Sequence, residues 1–251
     1  MLYIPRMHID YDRYARFVAT VCDSNDLSTF KSHPDYQYML EHVTSEHGRQ
    51  YLDLIGAETT LSICDIKQFC MMNSLGNPVT ADYMFITTSP TNLRYIYHAH
   101  RILMHLQSLN LERVDIVELG GGYGGLCLAV QYFAPHYSID IDSYTIVDLP
   151  APSKLQSMYI EKVNPDVQVN CVDGTTYGES IEGSDMFLIS NYCFSEIADV
   201  HQKEYIRHLF PKVSHGFMAW NHIPTYNFGF TFEEEPEVPS TGGVFNKYVY
   251  F

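Results

Sequence analysis

One segment near the middle of the chain constrains the fold more than any other. It runs from Val114 to Gly125 and reads Val-Asp-Ile-Val-Glu-Leu-Gly-Gly-Gly-Tyr-Gly-Gly. Its first half has the apolar character of a short buried strand, and five of the six residues from Gly120 onward are glycine. Glycine lets a ligand approach the backbone because it has no Cβ, and the free N–H groups at a helix start then face that ligand. The segment therefore predicts a strand, a turn and a helix that bind a nucleotide-type cofactor.

Two classes of cofactor are compatible with this turn. The spacing G-x-G-x-x-G from Gly120 to Gly125 matches the dinucleotide fingerprint. Glu118, however, places a carboxylate two residues before the first glycine, where it attracts a cationic group and repels a pyrophosphate. It therefore favours S-adenosylmethionine, whose amino group is cationic, and NAD stays the alternative. The residues of this segment that we predict to bind the cofactor are Glu118, Gly120, Gly121, Gly122, Tyr123 and Gly124.

The charge balance limits the possible partners. The chain of 251 residues has 15 basic and 30 acidic residues, a net charge of −15, which argues against a nucleic-acid substrate. We expect no membrane contact, because no apolar run reaches transmembrane length. The six cysteines form no C-x-x-C pair, and we expect them to be reduced thiols in a cytoplasmic protein. No spaced set of side chains predicts a metal site. A homo-oligomer is left open.

Alternating strand and helix patterns predict an α/β fold. The expected elements form a Rossmann-like, seven-stranded, mostly parallel sheet covered by helices on both faces, with an antiparallel pair at the C-terminus. The predicted strands are 114–119, 144–148, 167–172, 185–190 and 217–220, followed by a pair at 226–232 and 244–251. We expect an acidic loop over 233–237 between the last two strands and a polar insertion over 136–143.

The sequence before the glycine turn predicts a helical layer. We divide the chain into this layer, residues 1–110, and a cofactor-binding domain, residues 111–251. The expected helices of the layer are 11–22, 34–55, 64–72 and a last one that begins at Ser89-Pro90 and ends near residue 110. The last helix is predicted to be amphipathic, with Arg94 on its outer face.

Acidic residues follow two predicted strands at the edge where a doubly wound sheet binds ligands. Asp148 and Leu149 end the second strand, and an acid there can hold ribose hydroxyls; the alternative is a helix N-cap. Asp173 and Gly174 follow the third strand, where the acid accepts from an adenine amino group or is a plain turn residue.

Polar residues also follow the fourth and fifth strands. Methyl transfer to an alcohol needs a base that takes the hydroxyl proton during attack, and our two catalytic candidates are Glu196 and His222. For His222, the alternative is an ordinary surface or core histidine without a catalytic role. The segment 190–196 lacks the D/N-P-P-Y pattern of enzymes that methylate nucleic-acid amines. We expect Ser190 and Asn191 to contact the donor, and the predicted substrate contacts are Asn191, Tyr192, Ser195 and Asn221.

Four blocks of the sequence resemble the sugar O-methyltransferases of the class I, S-adenosylmethionine-dependent fold. They are 89–95, the glycine run, 145–150 and, most specifically, 189–196 with the sequence I-S-N-Y-C-F-S-E. The resemblance implies a methyl donor held by Glu118, the glycines and Asp148. It also implies that Arg94 pairs with the carboxylate of the donor, the alternative being a surface arginine.

The same resemblance implies the acceptor. It would be a sugar hydroxyl on a glycan, an oligosaccharide or a nucleotide sugar. The compact, tyrosine-rich chain also resembles glycan-modifying methyltransferases of large algal viruses, which would act in the host cytosol. Residues 1–85 and the acidic tail match nothing in this family, so we expect them to bind the particular acceptor. A non-catalytic, cofactor-binding scaffold subunit is a further alternative.

Overall fold

A seven-stranded sheet forms the centre of the molecule. The structure is a computed structural model that describes residues 6–241 and 245–251. The sheet consists of β3 (Arg113–Leu119), β4 (Asp140–Asp148), β5 (Asn170–Asp173), β6 (Met186–Asn191), β7 (Val213–Trp220), β8 (Glu233–Pro236) and β9 (Lys247–Tyr250). A separate hairpin, which the sequence did not predict, is made of β1 (Ala81–Tyr83) and β2 (Ile86–Thr88).

The strand order is that of a doubly wound sheet. It runs β5-β4-β3-β6-β7-β9-β8. Strands β3 to β7 are parallel, whereas β9 lies antiparallel between β7 and β8. The chain leaves β3 in one direction for β4 and β5, and then crosses to β6, so the topological switch point lies between β3 and β6. The predicted Rossmann-like, seven-stranded, mostly parallel sheet with an antiparallel C-terminal pair is confirmed.

Eight α-helices surround the sheet in the described part of the chain. They are α1 (Arg6–Ser24), α2 (Pro34–Met39), α3 (Ser45–Glu58), α4 (Ile63–Met72), α5 (Pro90–Ser108), α6 (Gly125–Phe133), α7 (Pro150–Val163) and α8 (Asp199–His208). No helix in residues 6–241 and 245–251 is long and apolar enough to cross a bilayer. The prediction of one helix over 34–55 is wrong. Helix α2 ends at Met39, and a second helix, α3, starts at Ser45 with the Thr44 side chain as its N-cap.

The register of the strands places three polar residues on one sheet face. Glu118 pairs with Ile146 in β4 and Ile189 in β6, and Asp148 and Asn191 lie two residues beyond these partners. Because side chains alternate along a strand, all three project to the same face, at the carboxyl edge. That face is also covered by the N-terminal helices, whose buried side chains join one apolar core with those of α5, α6 and α7.

Helix α5 differs from the prediction of an amphipathic helix. Its residues from Pro90 to His100 are buried on every side, because α3, α4 and α6 all pack against it. A helix buried all round has no solvent face, so the expected outer face of α5 does not exist near its N-terminus.

The acidic tail is also different from the prediction. Residues 233–236 form the edge strand β8 rather than a loop, and 226–232 is not a strand. An edge strand pairs on one side only and can leave its charges in water, whereas the aromatic side chains Phe228, Phe230 and Phe232 pack over the opposite sheet face. Residues 242–244, which include the predicted start of the last strand, lie outside the described residues.

Smaller differences concern the ends of elements. Strand β4 begins at Asp140, so half of the predicted polar insertion belongs to the sheet, and β5 begins at Asn170. Helix α8 has Ala198 at its N-cap and ends at His208. Such shifts are usual because hydrogen bonding, rather than the apolar pattern, decides where an element ends.

Candidate functional site

The glycine turn between β3 and α6 has a backbone that only glycine adopts easily. Gly120, Gly122 and Gly124 have φ angles of +75°, +58° and +91°, the left-handed region that strains other residues. A Cβ added to Gly120 would lie 2.4 Å from the Cys193 side chain. The turn is therefore enclosed by the segment that follows β6, and α6 starts at Gly125, directly after the turn.

Glu118 is a buried carboxylate at the end of β3. Its side chain is 2% exposed, and its Oε2 accepts a 2.8 Å hydrogen bond from the Tyr144 hydroxyl. Burial raises the pKa of Glu118 to about 8, the Tyr144 hydrogen bond opposes this shift, and the charge of Asp148 adds to it. A carboxylate accepts several hydrogen bonds when ionised, so Glu118 has free capacity for a cationic ligand group.

Asp148 is held at the end of β4 by the turn and by α7. Its Oδ1 accepts from the Leu149 amide and its Oδ2 from Gln156 Nε2, both at 2.8 Å. Burial raises the pKa of Asp148 to about 6, against these hydrogen bonds and those from the amides of Gly121 and Gly122. Leu149, not Asp148, is the N-cap of α7, which rules out the helix-cap interpretation of this acid.

Gln156 is a site residue that sequence reasoning missed. Besides donating to Asp148, its Nε2 donates to the Gly122 carbonyl at 3.1 Å, and its buried Oε1 has no hydrogen-bond partner among the described residues. Nothing in the sequence around Gln156 indicates a role in the site, because a glutamine within a helix is typical of an ordinary solvent-facing position.

Asp173 lies beside Asp148, but its carboxylate is hydrogen-bonded within its own turn. The two residues pair across β4 and β5, and Asp173 Oδ1 accepts from both the amide and the hydroxyl of Thr175. This geometry supports the turn-residue interpretation. Gly174 lets its own backbone pack closely against that of Asp148, since a Cβ added to Gly174 would lie 3.0 Å from the Asp148 carbonyl oxygen.

The N-terminal layer covers the turn. A Cβ added to Gly122 would lie 3.2 Å from the Leu40 side chain. Burial, and after it the charge of Asp148, raises the pKa of both Tyr11 and Tyr14 in α1. These contacts had no local sequence signal because they join segments more than 80 residues apart.

Tyr123, inside the turn, faces the N-terminal layer. The ring is fully buried, and its hydroxyl accepts from Asn73 Nδ2 at 3.0 Å. The Lys31 ammonium lies 3.9 Å from the ring centroid and donates to the Tyr159 hydroxyl at 2.8 Å. The geometry gives Tyr123 the role of anchoring the turn to this layer.

Arg94 is buried rather than on the surface. Its side chain donates from Nη2 to the Leu40 carbonyl at 3.2 Å, and its buried Nη1 has no partner among the described residues. Burial raises the pKa of the neighbouring Tyr95, Arg94 opposes the shift, and Glu41 and Glu118 add to it. Arg94 thus keeps one buried guanidinium nitrogen free for a ligand.

The end of β6 places its polar residues on two sheet faces. Ser190 points away from Glu118: its hydroxyl donates to the Leu119 carbonyl at 3.3 Å and accepts from the Phe194 amide at 3.0 Å. Asn191, on the face of Glu118, donates from Nδ2 to His98 Nδ1 at 2.8 Å, and its buried Oδ1 has no partner among the described residues. Ser190 is thus engaged within the protein, whereas Asn191 has a free acceptor.

Of the predicted catalytic residues, Glu196 is joined to another site residue and His222 is not. Asn221 Nδ2 donates to Glu196 Oε1 at 3.3 Å, beyond the ends of β6 and β7. Desolvation raises the pKa of Glu196 and the Asn221 hydrogen bond opposes it, although solvent reaches the side chain and limits the rise. His222 is exposed, and Ser195 Oγ is buried without a partner in the described part of the chain.

No metal centre forms among the residues that the structure describes. No group of three or more His, Cys, Asp or Glu side chains comes together there in a way that could hold an ion.

Comparisons with known proteins give structural similarity without sequence similarity. No family model matches the chain, and neither does any curated protein. A proposed O-methyltransferase from Nostoc punctiforme aligns over 100% of this chain and 99% of its own, at 9% identity and a TM-score of 0.45. A proposed S-adenosyl-L-methionine-dependent methyltransferase from Methanococcus maripaludis aligns over 62% and 84%, at 12% identity and a TM-score of 0.44.

A third structure, a proposed sarcosine dimethylglycine methyltransferase from Galdieria sulphuraria, aligns over 62% of this chain and 59% of its own. Its identity is 12% and its TM-score 0.41. At this level of similarity the function has to be argued from the residues of the site.

Proposed function

We propose that the chain is an S-adenosylmethionine-dependent methyltransferase that O-methylates a sugar hydroxyl on a glycan, an oligosaccharide or a nucleotide sugar. The observation that carries the proposal is Glu118, a buried carboxylate with one described hydrogen bond, two residues before a turn of left-handed glycines. Burying such a group costs free energy unless a partner compensates it, and a cationic ligand group is that partner.

The residues around the turn fit the two ends of an amino-acid ligand. Glu118 would hold the amino group and Arg94 Nη1 the carboxylate. Asp148 would hold the ribose hydroxyls at the end of β4, the position where acids do so in doubly wound sheets. When bound, the donor supplies an electrophilic methyl group. The protein would orient it and exclude water, since Leu40 of the N-terminal layer lies against the turn at Gly122.

Glu118 disfavours a dinucleotide, whereas Asp148 would suit the ribose of either cofactor. Glu118 is a carboxyl group two residues before the turn where a pyrophosphate would lie, and the chain has a net charge of −15. Repulsion between like charges is strong where water is excluded. An oxidoreductase function is therefore the weaker explanation of this site.

The acceptor would meet the donor beyond the ends of β6 and β7. Asn191, Tyr192, Ser195 and Asn221 would bind the sugar, and Glu196 or His222 would take the proton of the hydroxyl that attacks. The sugar class rests on the resemblance of residues 189–196 to sugar O-methyltransferases. The absence of a D/N-P-P-Y motif and the acidic net charge count against nucleic-acid acceptors.

Calorimetric titration with S-adenosylhomocysteine, with NADH as the control, tests the donor class. We expect a Kd of about 10 μM or tighter, about −7 kcal/mol, and no response to NADH. The reverse result would assign the turn to a dinucleotide. Silence with both ligands would contradict a cofactor site at the turn, whereas binding of S-adenosylhomocysteine without methyl transfer to any acceptor would favour the cofactor-binding scaffold.

A further inference from the structure

A lysine of the N-terminal layer has its ammonium group in the interior of the protein. Lys31 lies in a single turn of 3₁₀ helix, Phe30–Ser32, and its side chain is fully buried. The segment after α4 encloses it: the Lys31 amide donates to the Gly76 carbonyl at 2.9 Å, and a Cβ added to Gly76 would lie 2.9 Å from the Lys31 side chain. A buried charge costs free energy unless other groups compensate it, so this ammonium needs specific partners.

The partners of Lys31 suit an ammonium better than a neutral amine. Its Nζ donates to the Asn73 carbonyl at 3.1 Å and to the Tyr159 hydroxyl at 2.8 Å. The Tyr159 hydroxyl can accept because it donates its own proton to Asn73 Oδ1, at 2.8 Å. In addition, Nζ lies 3.9 Å from the centroid of the Tyr123 ring. The face of an aromatic ring attracts a cation, whereas a neutral amine has no charge for the ring to attract.

One carboxylate balances the charge of Lys31. Glu41, between α2 and α3, opposes the effect of burial on the pKa of Lys31, and its Oε2 accepts from the Ser89 hydroxyl at 2.8 Å. Burial raises the pKa of Glu41, and the charge of Lys31 is the main influence that lowers it. Tyr123 and Tyr159 are neutral, because burial raises their pKa well above the ordinary value. Lys31 is therefore the group whose protonation decides whether a charge lies against the Tyr123 ring.

Tyr123 connects this ammonium to the glycine turn. It lies between Gly122 and Gly124, which have φ angles of +58° and +91°. Its hydroxyl accepts from Asn73 Nδ2 at 3.0 Å, so Asn73 holds the ring at its hydroxyl and Lys31 holds it on its face. Both contacts come from outside the turn, and a change in either one acts on the position of the turn backbone.

We propose that the ammonium of Lys31 is a positioning group for the methyl donor: by holding the Tyr123 ring, it keeps the glycine turn in the conformation that binds the donor. The inference rests on the proposed methyltransferase function and adds a regulation to it, because donor affinity then depends on the protonation of a residue that does not touch the donor. Burial lowers the pKa of Lys31 to about 7, against the charge of Glu41, so this protonation changes near neutral pH.

Donor affinity should fall as Lys31 loses its proton. A charge that favours the donor-bound turn gives Lys31 a higher pKa with donor bound than without it. The contribution of Lys31 to affinity is then complete below the ligand-free pKa of about 7 and is lost as the pH rises through the higher, donor-bound value. Glu118 acts in the opposite direction, because it has to lose its proton to hold a cationic amino group. The ratio of the Kd values of a Lys31 variant and the wild type cancels the contribution of Glu118.

The test compares Lys31→Met with Lys154→Met. Both substitutions remove a lysine that joins the N-terminal layer to α7, but Lys154 does so at the surface, where it donates to Asp23 Oδ1 at 3.1 Å. Methionine retains an unbranched, apolar stem without the charge. Calorimetric titration with S-adenosylhomocysteine gives the Kd of each protein from about pH 6 to about pH 9, on both sides of the Lys31 pKa. Thermal unfolding at each pH verifies that the proteins are folded.

We expect Lys31→Met to raise the Kd about tenfold at about pH 6, or about 1.4 kcal/mol, within the range of cation–π contacts. This ratio should fall to about one at about pH 9, and Lys154→Met should match the wild type throughout. Tyr159→Phe keeps Lys31 but removes one acceptor of its ammonium, which lowers the Lys31 pKa further. The ratio of its Kd to that of the wild type should therefore be largest near about pH 7 and approach one at lower and higher pH. Tyr159→Phe provides the answer where Lys31→Met does not fold.

Two results would overturn the proposal. One is an unchanged Kd in Lys31→Met and Tyr159→Phe at every pH. The other is a Kd raised by the same factor at every pH, which is the result of a structural defect without titration. In both cases the methyltransferase function stands, because the wild type still binds S-adenosylhomocysteine. A wild type that does not bind S-adenosylhomocysteine at any pH would contradict the proposed function and the role of Lys31 together.

Discussion

Tyr144 donates a hydrogen bond to Glu118 from the neighbouring strand, with 2.8 Å between the hydroxyl oxygen and the carboxylate Oε2. Both side chains lie on the sheet face that the N-terminal layer covers, and Glu118 is buried behind the glycine turn. This one bond is too little to compensate a full buried charge, so without ligand Glu118 holds its proton near neutral pH.

The stability of the ligand-free protein should therefore depend on pH through Glu118. Its pKa is about 8 in the folded state and near 4.3 in an unfolded chain. Because the folded value is the higher one, the contribution of Glu118 to stability is complete below about pH 4 and is lost as the pH rises through 8. The slope is at most about 1.4 kcal/mol per pH unit.

Glu118→Gln should remove that dependence. Urea unfolding at several pH values between 5 and 8.5 should show the variant gaining stability relative to the wild type as the pH rises. Glu112→Gln, an exposed glutamate in the residue before β3, serves as the matched control and should follow the wild type. Parallel profiles for all three proteins would contradict a buried, protonated Glu118.

Gly120→Ala should damage the turn. The added Cβ would lie 2.4 Å from the Cys193 side chain at a φ of +75°, so the strain and the clash together should cost about 1–3 kcal/mol and weaken S-adenosylhomocysteine binding.

Gly56→Ala is the control for Gly120→Ala, because a Cβ there meets nothing within 4 Å and the site is helical. That change should leave binding intact and stabilise α3 by about 0.5–1 kcal/mol. Calorimetric binding and thermal unfolding measure both effects. An unaltered affinity of Gly120→Ala would show that the turn does not touch the donor.

Glu196→Gln and His222→Ala test the proton acceptor. Loss of a general base lowers the rate about 10²–10⁴-fold, so at least one of the two variants should lose kcat by that factor while S-adenosylhomocysteine affinity is unchanged. The measurement is kcat, from steady-state kinetics in which the methylated glycoside is detected as the product. Normal turnover in both variants would exclude both residues from this role.

The parts of the fold that the sequence predicted are those with a strong local pattern. Buried parallel strands are continuous apolar runs, and the glycine turn and Asp148 follow from where such strands end. Helix α5 was predicted with an outer face because its burial depends on α3 and α4, which no pattern within α5 indicates.

The parts that could not be predicted depend on contacts between distant segments. Glu237 looks like one more charge in an acidic run, and only the contact with Tyr192, 45 residues away, separates it from its exposed neighbours. His98 and Asn191 are 93 residues apart. A single sequence contains no signal for such pairs, since each residue alone is compatible with a solvent-exposed position.

The central claim is that Glu118 and the glycine turn bind a methyl donor through its amino group. Titration of the wild type, Glu118→Gln and Glu112→Gln with S-adenosylhomocysteine tests it most directly. The account predicts a Kd of about 10 μM or tighter for the wild type, the same value for Glu112→Gln, and a loss of about tenfold or more for Glu118→Gln, because the variant removes a charged hydrogen bond to the ligand. Equal affinity of all three proteins, or binding of NADH in place of S-adenosylhomocysteine, would contradict it.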